Sequence, residues 1–165
     1  MANVTQKVVS MQEQWKLRNL GPLWEVRTLS STSHEFVSGL YMLCQDLSIK
    51  TIIPRDTVKV SNGIAWSSDN KTDLIEFRYY IDSPLKRVDA FDYDLETGEW
   101  SNRRTVIQIE RGYPDGMTID SQNNLWIAHW AGGCITKWNP ATGELLRTVE
   151  MPVSKVTSCV FGGKV

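Results

Sequence analysis

Two dipeptides in the sequence combine an oxygen-bearing side chain with a following glycine. They are Asn62-Gly63 and Asp115-Gly116. Because Ca²⁺ and Mg²⁺ prefer oxygen ligands such as carboxylates and side-chain amides, the pair could hold a hard cation if the fold brings it together. The alternative is that both are ordinary turn dipeptides, and the residue types by themselves favour that alternative.

The two dipeptides belong to a longer internal repeat. Segment 62–67, Asn-Gly-Ile-Ala-Trp-Ser, aligns with segment 115–120, Asp-Gly-Met-Thr-Ile-Asp, and the match continues through a Thr-Gly-Glu turn in each unit. Asn62 and Asp115 are 53 residues apart, and Thr157, at the same register of a third unit, follows 42 residues later. A four-stranded unit of roughly 40–50 residues is typical of a β-propeller blade. Entry loops of innermost strands converge on the channel of a propeller, where Asn62 and Asp115 would meet.

The elements that would position these residues are short strands from about Ser38 onward. No stretch has a long apolar period of 3.6 residues, so the sequence predicts an all-β fold. The fold class is an incomplete β-propeller, with about two full four-stranded blades plus partial ones, and Trp66, Trp126 and Trp138 are expected to be largely buried between sheets. Predicted strands are Leu40–Cys44, Ser48–Ile53, Ile64–Ser67, Arg78–Asp82, Val88–Tyr93, Thr105–Glu110, Met117–Asp120, Leu125–Trp130, Cys134–Trp138, Leu145–Met151 and Thr157–Phe161. Predicted turns lie at Asp69-Asn70, Glu96-Thr97-Gly98, Asn123-Asn124, Gly132-Gly133 and residues 139–143.

Other chemistries have weaker support. An acidic stretch places Asp92, Asp94 and Glu96 at the first, third and fifth positions of a calcium loop. The glycine then falls one place late and Arg103 occupies the position of the bidentate Glu, so a polar strand and hairpin is the better interpretation. His34 and His129 are isolated and lack zinc-ligand spacing. The sequence contains neither a GxSxG nucleophile elbow nor a glycine-rich phosphate loop.

Composition favours an ordinary globular protein. Among 165 residues, 18 Lys and Arg balance 19 Asp and Glu, which argues against nucleic acid and anionic membranes as partners. No apolar run approaches the roughly 20 residues of a membrane-spanning helix, and the N-terminal segment lacks the pattern of a signal peptide. The three widely spaced cysteines, Cys44, Cys134 and Cys159, fit buried reduced thiols. We therefore expect a cytoplasmic protein.

Six segments together carry a family resemblance. They are residues 61–67, 80–83, 88–94, 101–104, 114–120 and 157–163. They closely resemble the regucalcin (senescence marker protein) and gluconolactonase family from about Gly39 to Lys164, and Leu23-Trp24 with Thr28 resembles a strand of the preceding blade. The resemblance implies a six-bladed propeller with one divalent metal in its channel. That metal is usually Ca²⁺, with Zn²⁺ or Mg²⁺ as alternatives, and the activity is hydrolysis of sugar lactones such as gluconolactone.

The resemblance also implies roles for individual residues. Asn62 matches a metal-binding Asn, and Asp115 matches a metal-binding Asp that is also the catalytic general base. The family's third metal ligand is a Glu of the first blade, and no residue of this chain matches it. The register of the family's substrate-binding Arg and Asn holds Met11-Gln12-Glu13 here. The substrate-binding residues therefore stay unassigned.

The same comparison divides the chain in two. Residues 1–36 are predicted to be an N-terminal extension with a remnant of a preceding blade, and residues 37–165 a partial propeller. The leading hypothesis is a truncated form of a calcium-dependent lactonase. The alternatives are a non-catalytic fragment that binds calcium or a partner, and a propeller scaffold with nothing bound at its axis. Open blade edges would allow self-association.

Overall fold

The computed structural model describes residues 23–29, 36–44, 46–67, 75–94 and 97–162. Most of the predicted N-terminal extension and the predicted turn at Asp69-Asn70 lie outside these ranges. The described residues form eleven strands: β1 Leu23–Leu29, β2 Phe36–Leu43, β3 Ile49–Val58, β4 Ser61–Trp66, β5 Ile75–Asp82, β6 Arg87–Asp94, β7 Trp100–Gln108, β8 Tyr113–Ile119, β9 Leu125–Trp130, β10 Cys134–Asn139 and β11 Glu144–Glu150. One turn of 3-10 helix, Ser83–Leu85, connects β5 to β6.

The strands form three antiparallel sheets in the order of the chain. The first sheet holds β1, β2 and β3, the second β4 to β7, and the third β8 to β11. Each strand pairs with the next one along the chain, as in the blades of a propeller. The innermost strand of the second sheet, β4, packs against the innermost strand of the third, β8. The all-β, blade-based prediction is confirmed.

Apolar side chains fill the space on both faces of the second sheet. Tyr79 and Ile81 of β5 face the third sheet, in a core shared with Met117 and Ile127. Their neighbour Tyr80 faces the first sheet, in a cluster whose other buried members are Leu40, Ile53, Val58 and Phe91. Because successive side chains of a strand alternate between faces, a sheet packed on both sides needs such a run of buried residues.

Three tryptophans predicted to be largely buried lie at the border of the core. Trp66, Trp126 and Trp138 are each half-buried, and each keeps a polar or charged contact. Arg78 lies 5.4 Å from the Trp66 ring, whereas the indole nitrogens of Trp126 and Trp138 donate to Asp120 and Thr136. Indoles with such a polar partner favour the border of a core over its centre.

The predicted strand Thr157–Phe161 is wrong, since this segment has no regular secondary structure. It lies against β8, where Gly116 N donates to Thr157 O at 2.8 Å. Cys159 Sγ approaches Trp126 O at 3.4 Å. The segment has apolar alternation like that of the other strands, but a strand also requires a ladder of backbone hydrogen bonds.

Candidate metal centre at the start of two innermost strands

Both candidate dipeptides lie in β-bulges at the start of an innermost strand. The register of β4 against β5 shifts between Ser61 and Ile64, so Asn62-Gly63 falls within the irregularity. The register of β8 against β9 shifts in the same way between Pro114 and Met117, around Asp115-Gly116. A bulge bends its strand and re-aims the side chains that it contains. The same device therefore redirects Asn62 and Asp115 in two consecutive blades.

Gly63 and Gly116 allow close backbone packing around the two bulges. A Cβ on Gly63 would lie 2.6 Å from Asp115 O, and one on Gly116 would lie 2.8 Å from Thr157 O. Neither glycine has a left-handed φ, and both lie within strands. The turn-dipeptide alternative is therefore wrong. Glycine at position 63 lets β4 approach the backbone of β8, and glycine at position 116 lets β8 approach the backbone of Thr157.

This packing brings the candidate residues to one end of the sheets. The backbone of Gly63 is adjacent to that of Asp115, and Gly116 is hydrogen-bonded to Thr157. Asn62 is buried and Asp115 is half-buried. Asp115 is thus a backbone neighbour of the Asn62-Gly63 bulge, and Thr157 is a backbone neighbour of the Asp115-Gly116 bulge, whereas the roles of Asn62 and Asp115 as metal ligands stay predictions.

A hydrogen-bond chain connects the two candidate residues. Asn62 Nδ2 donates to Ser83 Oγ at 2.7 Å, and Ser83 Oγ donates to Pro114 O at 2.6 Å. Pro114 directly precedes Asp115. Both hydrogen bonds are buried, where net hydrogen bonds to neutral groups contribute about 1 kcal/mol each and an unmade bond costs more. The chain therefore joins the side chain of one candidate ligand to the backbone that carries the other.

The turn that carries Ser83 is held by hydrogen bonds on both sides. The Asp82 carboxylate accepts from Lys59 N and Val60 N, which lie in the connection entering β4. Ser83 N donates to Val60 O, and Ser83 O accepts from Lys86 N. A rigid turn of this kind positions a side chain more accurately than a mobile loop does.

The acidic stretch on β6 forms ion pairs on the outer hairpin. Asp89 contacts Arg87 and Arg103 at 2.9 and 2.8 Å. Asp92 accepts from Arg104 and from Asn102, hydrogen bonds that help hold its pKa below the usual value against the opposing effect of burial. The interpretation as a polar strand and hairpin is confirmed.

His129 belongs to a buried structural network. Its Nδ1 lies 2.7 Å from Arg111 O and its Nε2 lies 2.6 Å from Thr136 Oγ1, which also accepts from Trp138 Nε1. A carbonyl can only accept, so Nδ1 carries the proton, and Nε2 accepts from the threonine hydroxyl in the neutral imidazole. Burial lowers the pKa of His129, which favours this neutral form.

The donor set at the two bulges fits a hard cation. It offers one carboxylate and one amide oxygen, which are ligand types that Ca²⁺ and Mg²⁺ accept. Across the described ranges, no group of three His, Cys, Asp or Glu side chains is arranged as a metal cluster. Asn62 and Asp115 stay the predicted ligands of a divalent ion in this part of the chain, with other ligands completing its coordination.

Comparisons with known proteins agree with this architecture. Residues 21–165 match the family model described as "SMP-30/Gluconolactonase/LRE-like region". The chain belongs to this family. It is 48% identical to chicken (Gallus gallus) regucalcin and 49% identical to human regucalcin over 128 residues in each case. Those residues are 76% of this chain and 40% of the length of each relative.

Solved structures of related proteins share the fold. A luciferin-regenerating enzyme superposes with a TM-score of 0.70 at 42% identity, over 77% of this chain and 41% of its own. A calcium-binding regucalcin from Agrobacterium tumefaciens has a TM-score of 0.68 at 18% identity, over 84% of this chain and 46% of its own. The chain thus spans less than half the length of these propeller proteins and forms consecutive blades of a β-propeller. No helix in the described residues is long and apolar enough to cross a membrane.

Ser83 is the residue of this site that the sequence did not reveal. It ends the segment Tyr80-Ile81-Asp82-Ser83, which contributes to the family resemblance but has no chemistry of its own. A Ser-Pro pair after a strand predicts a turn and nothing about its partners. Its contacts with Asn62 and Pro114 span 21 and 31 residues, and only the stacking of two blades brings these groups together.

Proposed function

We propose that this chain carries part of the active site of a metal-dependent sugar lactone hydrolase. Asn62 and Asp115 would be two oxygen ligands of one divalent cation, Ca²⁺ in the first instance and Mg²⁺ or Zn²⁺ as alternatives. The observation that supports this proposal is the repeated bulge that brings both residues to one end of adjacent innermost strands. Membership of the family agrees with it, as does the structural similarity to a gluconolactonase from Xanthomonas campestris.

In this proposal Asp115 both binds the cation and acts as the general base. A bound cation would supply Lewis-acid polarisation of the lactone carbonyl. The Asp115 carboxylate accepts a proton from the attacking water, whose oxygen bonds to the carbonyl carbon. The ring C–O bond then breaks, and the leaving oxygen takes up a proton to give the open-chain sugar acid. Asn62 contributes a neutral oxygen, so it orients the cation without adding charge.

The activity is tested in a chimera with a complete propeller. In this chimera the aligned 128 residues of chicken regucalcin are replaced by those of the present chain. Asp115→Ala should abolish gluconolactone hydrolysis, since it removes both a metal charge and the base. Asn62→Ala should raise the Ca²⁺ concentration needed for half-maximal activity. Asp92→Ala, which removes a carboxylate from the outer hairpin, is the control and should keep the activity. Normal turnover of the Asp115→Ala chimera would refute the proposal.

A second candidate function is a non-catalytic propeller fragment that binds calcium or a partner. It is favoured by the small donor set of the described residues, one carboxylate and one amide. Ca²⁺ affinity depends on the charge and rigidity of the ligands, so the 165-residue chain should bind Ca²⁺ weakly and hydrolyse little or no lactone. Turnover by the purified chain comparable to that of chicken regucalcin would exclude this candidate.

The cellular setting is part of the same proposal. Cys44, Cys134 and Cys159 are free thiols, of which Cys134 is buried as expected and the other two are only half-buried. Burial raises the pKa of Cys159 to about 11. Unpaired thiols are typical of a reducing compartment, so we place the protein in the cytoplasm. Fractionation of cells that express the tagged chain tests this assignment, and recovery in a secreted fraction would contradict it.

A further inference from the structure

The side chain of Ser83 lies between the two candidate ligands and is buried. It has no ionisable group and cannot act as an acid or base at neutral pH. Its oxygen contacts the amide of Asn62 and the carbonyl that precedes Asp115. Ser83 can therefore influence the site through the two residues that it holds.

Counting protons fixes the orientation of the Asn62 amide. Pro114 O is a carbonyl oxygen and can only accept, so the single hydroxyl proton of Ser83 is directed to it. Ser83 Oγ has no second proton and must accept from its other partner. The group of Asn62 facing Ser83 is therefore the NH₂ group, with Nδ2 as donor. Oδ1, which could bind a cation, is then the branch of the amide directed away from Ser83.

A flipped Asn62 amide would lose this hydrogen bond and present the wrong atom. Its Oδ1 would face Ser83 Oγ, and two acceptor oxygens would meet with no proton between them. Its NH₂ group would occupy the position of the ligand oxygen, and an amide nitrogen that carries two protons does not bind Ca²⁺. The Ser83 hydroxyl thus distinguishes a binding orientation of Asn62 from a non-binding one.

The backbone of Ser83 makes this selection rigid. Ser83 N and O are both hydrogen-bonded, to Val60 O and Lys86 N. Lys86 O in turn accepts from Ile109 N, in the connection between β7 and β8. The turn is thus tied both to the chain that enters β4 and to the chain that leads into β8. The Ser83 backbone cannot follow a rotating Asn62 side chain without breaking these bonds, and Ser83 Oγ cannot follow it without losing the bond to Pro114 O.

We propose that Ser83 is a positioning residue that selects the Asn62 amide orientation in which Nδ2 faces Ser83 and Oδ1, the atom that would bind a divalent cation, is directed away from it, and that ties this amide to the Pro114 carbonyl preceding Asp115. The cation part of this inference rests on the proposed function, whereas the orientation part stands on the hydrogen bonds alone. Residues that orient metal ligands typically change metal affinity by 10- to 100-fold when removed. We expect Ser83→Ala to weaken Ca²⁺ binding by about tenfold.

The test uses the full 165-residue chain labelled with ¹⁵N. Without metal, the Asn62 Nδ2 protons should exchange faster in Ser83→Ala than in the wild type, because the hydrogen bond to Ser83 is lost. Ser83→Thr, which keeps the hydroxyl, should restore slow exchange. Ser121→Ala removes an exposed hydroxyl in the turn after β8, at the opposite end of that strand, and should behave like the wild type. Unchanged exchange in Ser83→Ala would overturn the proposal.

Titration with CaCl₂ on the same samples separates this inference from the proposed function. Signals of Asn62 and Asp115 should shift in the wild type and in Ser83→Thr, and should need about tenfold more Ca²⁺ in Ser83→Ala. If the wild-type signals do not shift with Ca²⁺ while the slow exchange persists, the metal site is refuted and the Asn62 amide orientation remains supported. Equal Ca²⁺ affinity of Ser83→Ala and the wild type would overturn the positioning role. If Ser83→Ala does not fold, Ser83→Cys replaces it, because the thiol is of similar size but is a weak hydrogen-bond acceptor. The same amide-exchange and CaCl₂ measurements then test the proposal.

Discussion

The contact between the backbones of Gly63 and Asp115 predicts a large effect of the smallest possible substitution. In Gly63→Ala, the new methyl carbon would lie 2.6 Å from Asp115 O and 2.8 Å from Met117 N, whereas an ordinary contact is 3.4 Å or more. Both neighbours are backbone atoms of the next innermost strand, so no side-chain rotation relieves the clash. β4 and β8 must separate by several tenths of an ångström at the point where Asn62 and Asp115 meet.

Two opposing terms set the size of this effect. Overpacking a well-packed interior costs about 1–3 kcal/mol. Replacing glycine by alanine within a strand offsets roughly 0.5–1 kcal/mol of that cost, because the unfolded chain loses conformational freedom. From the middle of both ranges, we expect Gly63→Ala to lower the free energy of unfolding by about 1 kcal/mol. With a urea dependence of about 1–3 kcal/mol per M, the unfolding midpoint should fall by roughly 0.3–1 M.

Urea unfolding followed by tryptophan fluorescence measures this shift. Gly162→Ala is the matched control, since a Cβ there would meet no atom within 4 Å. Its midpoint should equal that of the wild type. A Gly63→Ala chain as stable as the wild type, or more stable, would refute the inference that the glycine serves close approach of the two blades.

Three further predictions concern pH and association. Burial opposes ionisation of Asp120, but hydrogen bonds from Lys137 and other groups outweigh it and lower the pKa of Asp120 to about 2. The ionised carboxylate should therefore stabilise the fold by about 2 kcal/mol above pH 4, and this stabilisation should be lost between about pH 4 and 2. Urea unfolding of Asp120→Asn should lack this pH dependence. The pKa of His129 is lowered in the folded chain, so stability should fall as pH drops below about 6.5, and His129→Gln should flatten that part of the stability profile measured by thermal unfolding. Leu145 on the outer strand is 47% exposed and Val160 is 81% exposed, so we expect the chain to self-associate. Sedimentation should show this association and its weakening in Leu145→Lys. Equal association constants of the variant and the wild type would contradict the prediction.

Local patterns were enough to predict most of the strands. The β9 bounds, Leu125–Trp130, agree with the prediction, and most others differ at their ends. β4 begins at Ser61 rather than Ile64, because its bulge contains residues whose composition resembles a turn. Asn-Gly is ambiguous in sequence, since glycine suits both a left-handed turn and a close backbone contact. The repeat in the sequence, rather than the dipeptide, carried the information that two such strands would be neighbours.

The part of the site that could not be predicted depends on contacts between blades. Asn62 and Asp115 could be selected because their positions repeat, whereas Ser83 comes from a turn with no counterpart in that argument. The half-buried state of Trp126 depends on Asp120 and Lys137, which lie on other segments of the same blade. Such partners are determined by tertiary packing, so the apolar periodicity of a single strand does not predict them.

The central claim is that Asn62 and Asp115 share one divalent cation, and a crystal structure of the full chain grown with Ca²⁺ tests it most directly. Anomalous maps from crystals grown with Mn²⁺ in its place would locate the ion independently of the refined coordinates. We predict one metal peak about 2.3–2.6 Å from both Asn62 Oδ1 and an Asp115 carboxylate oxygen, with Nδ2 still bonded to Ser83. A metal peak found only at other residues, or an Asn62 amide whose nitrogen faces the ion, would contradict the account.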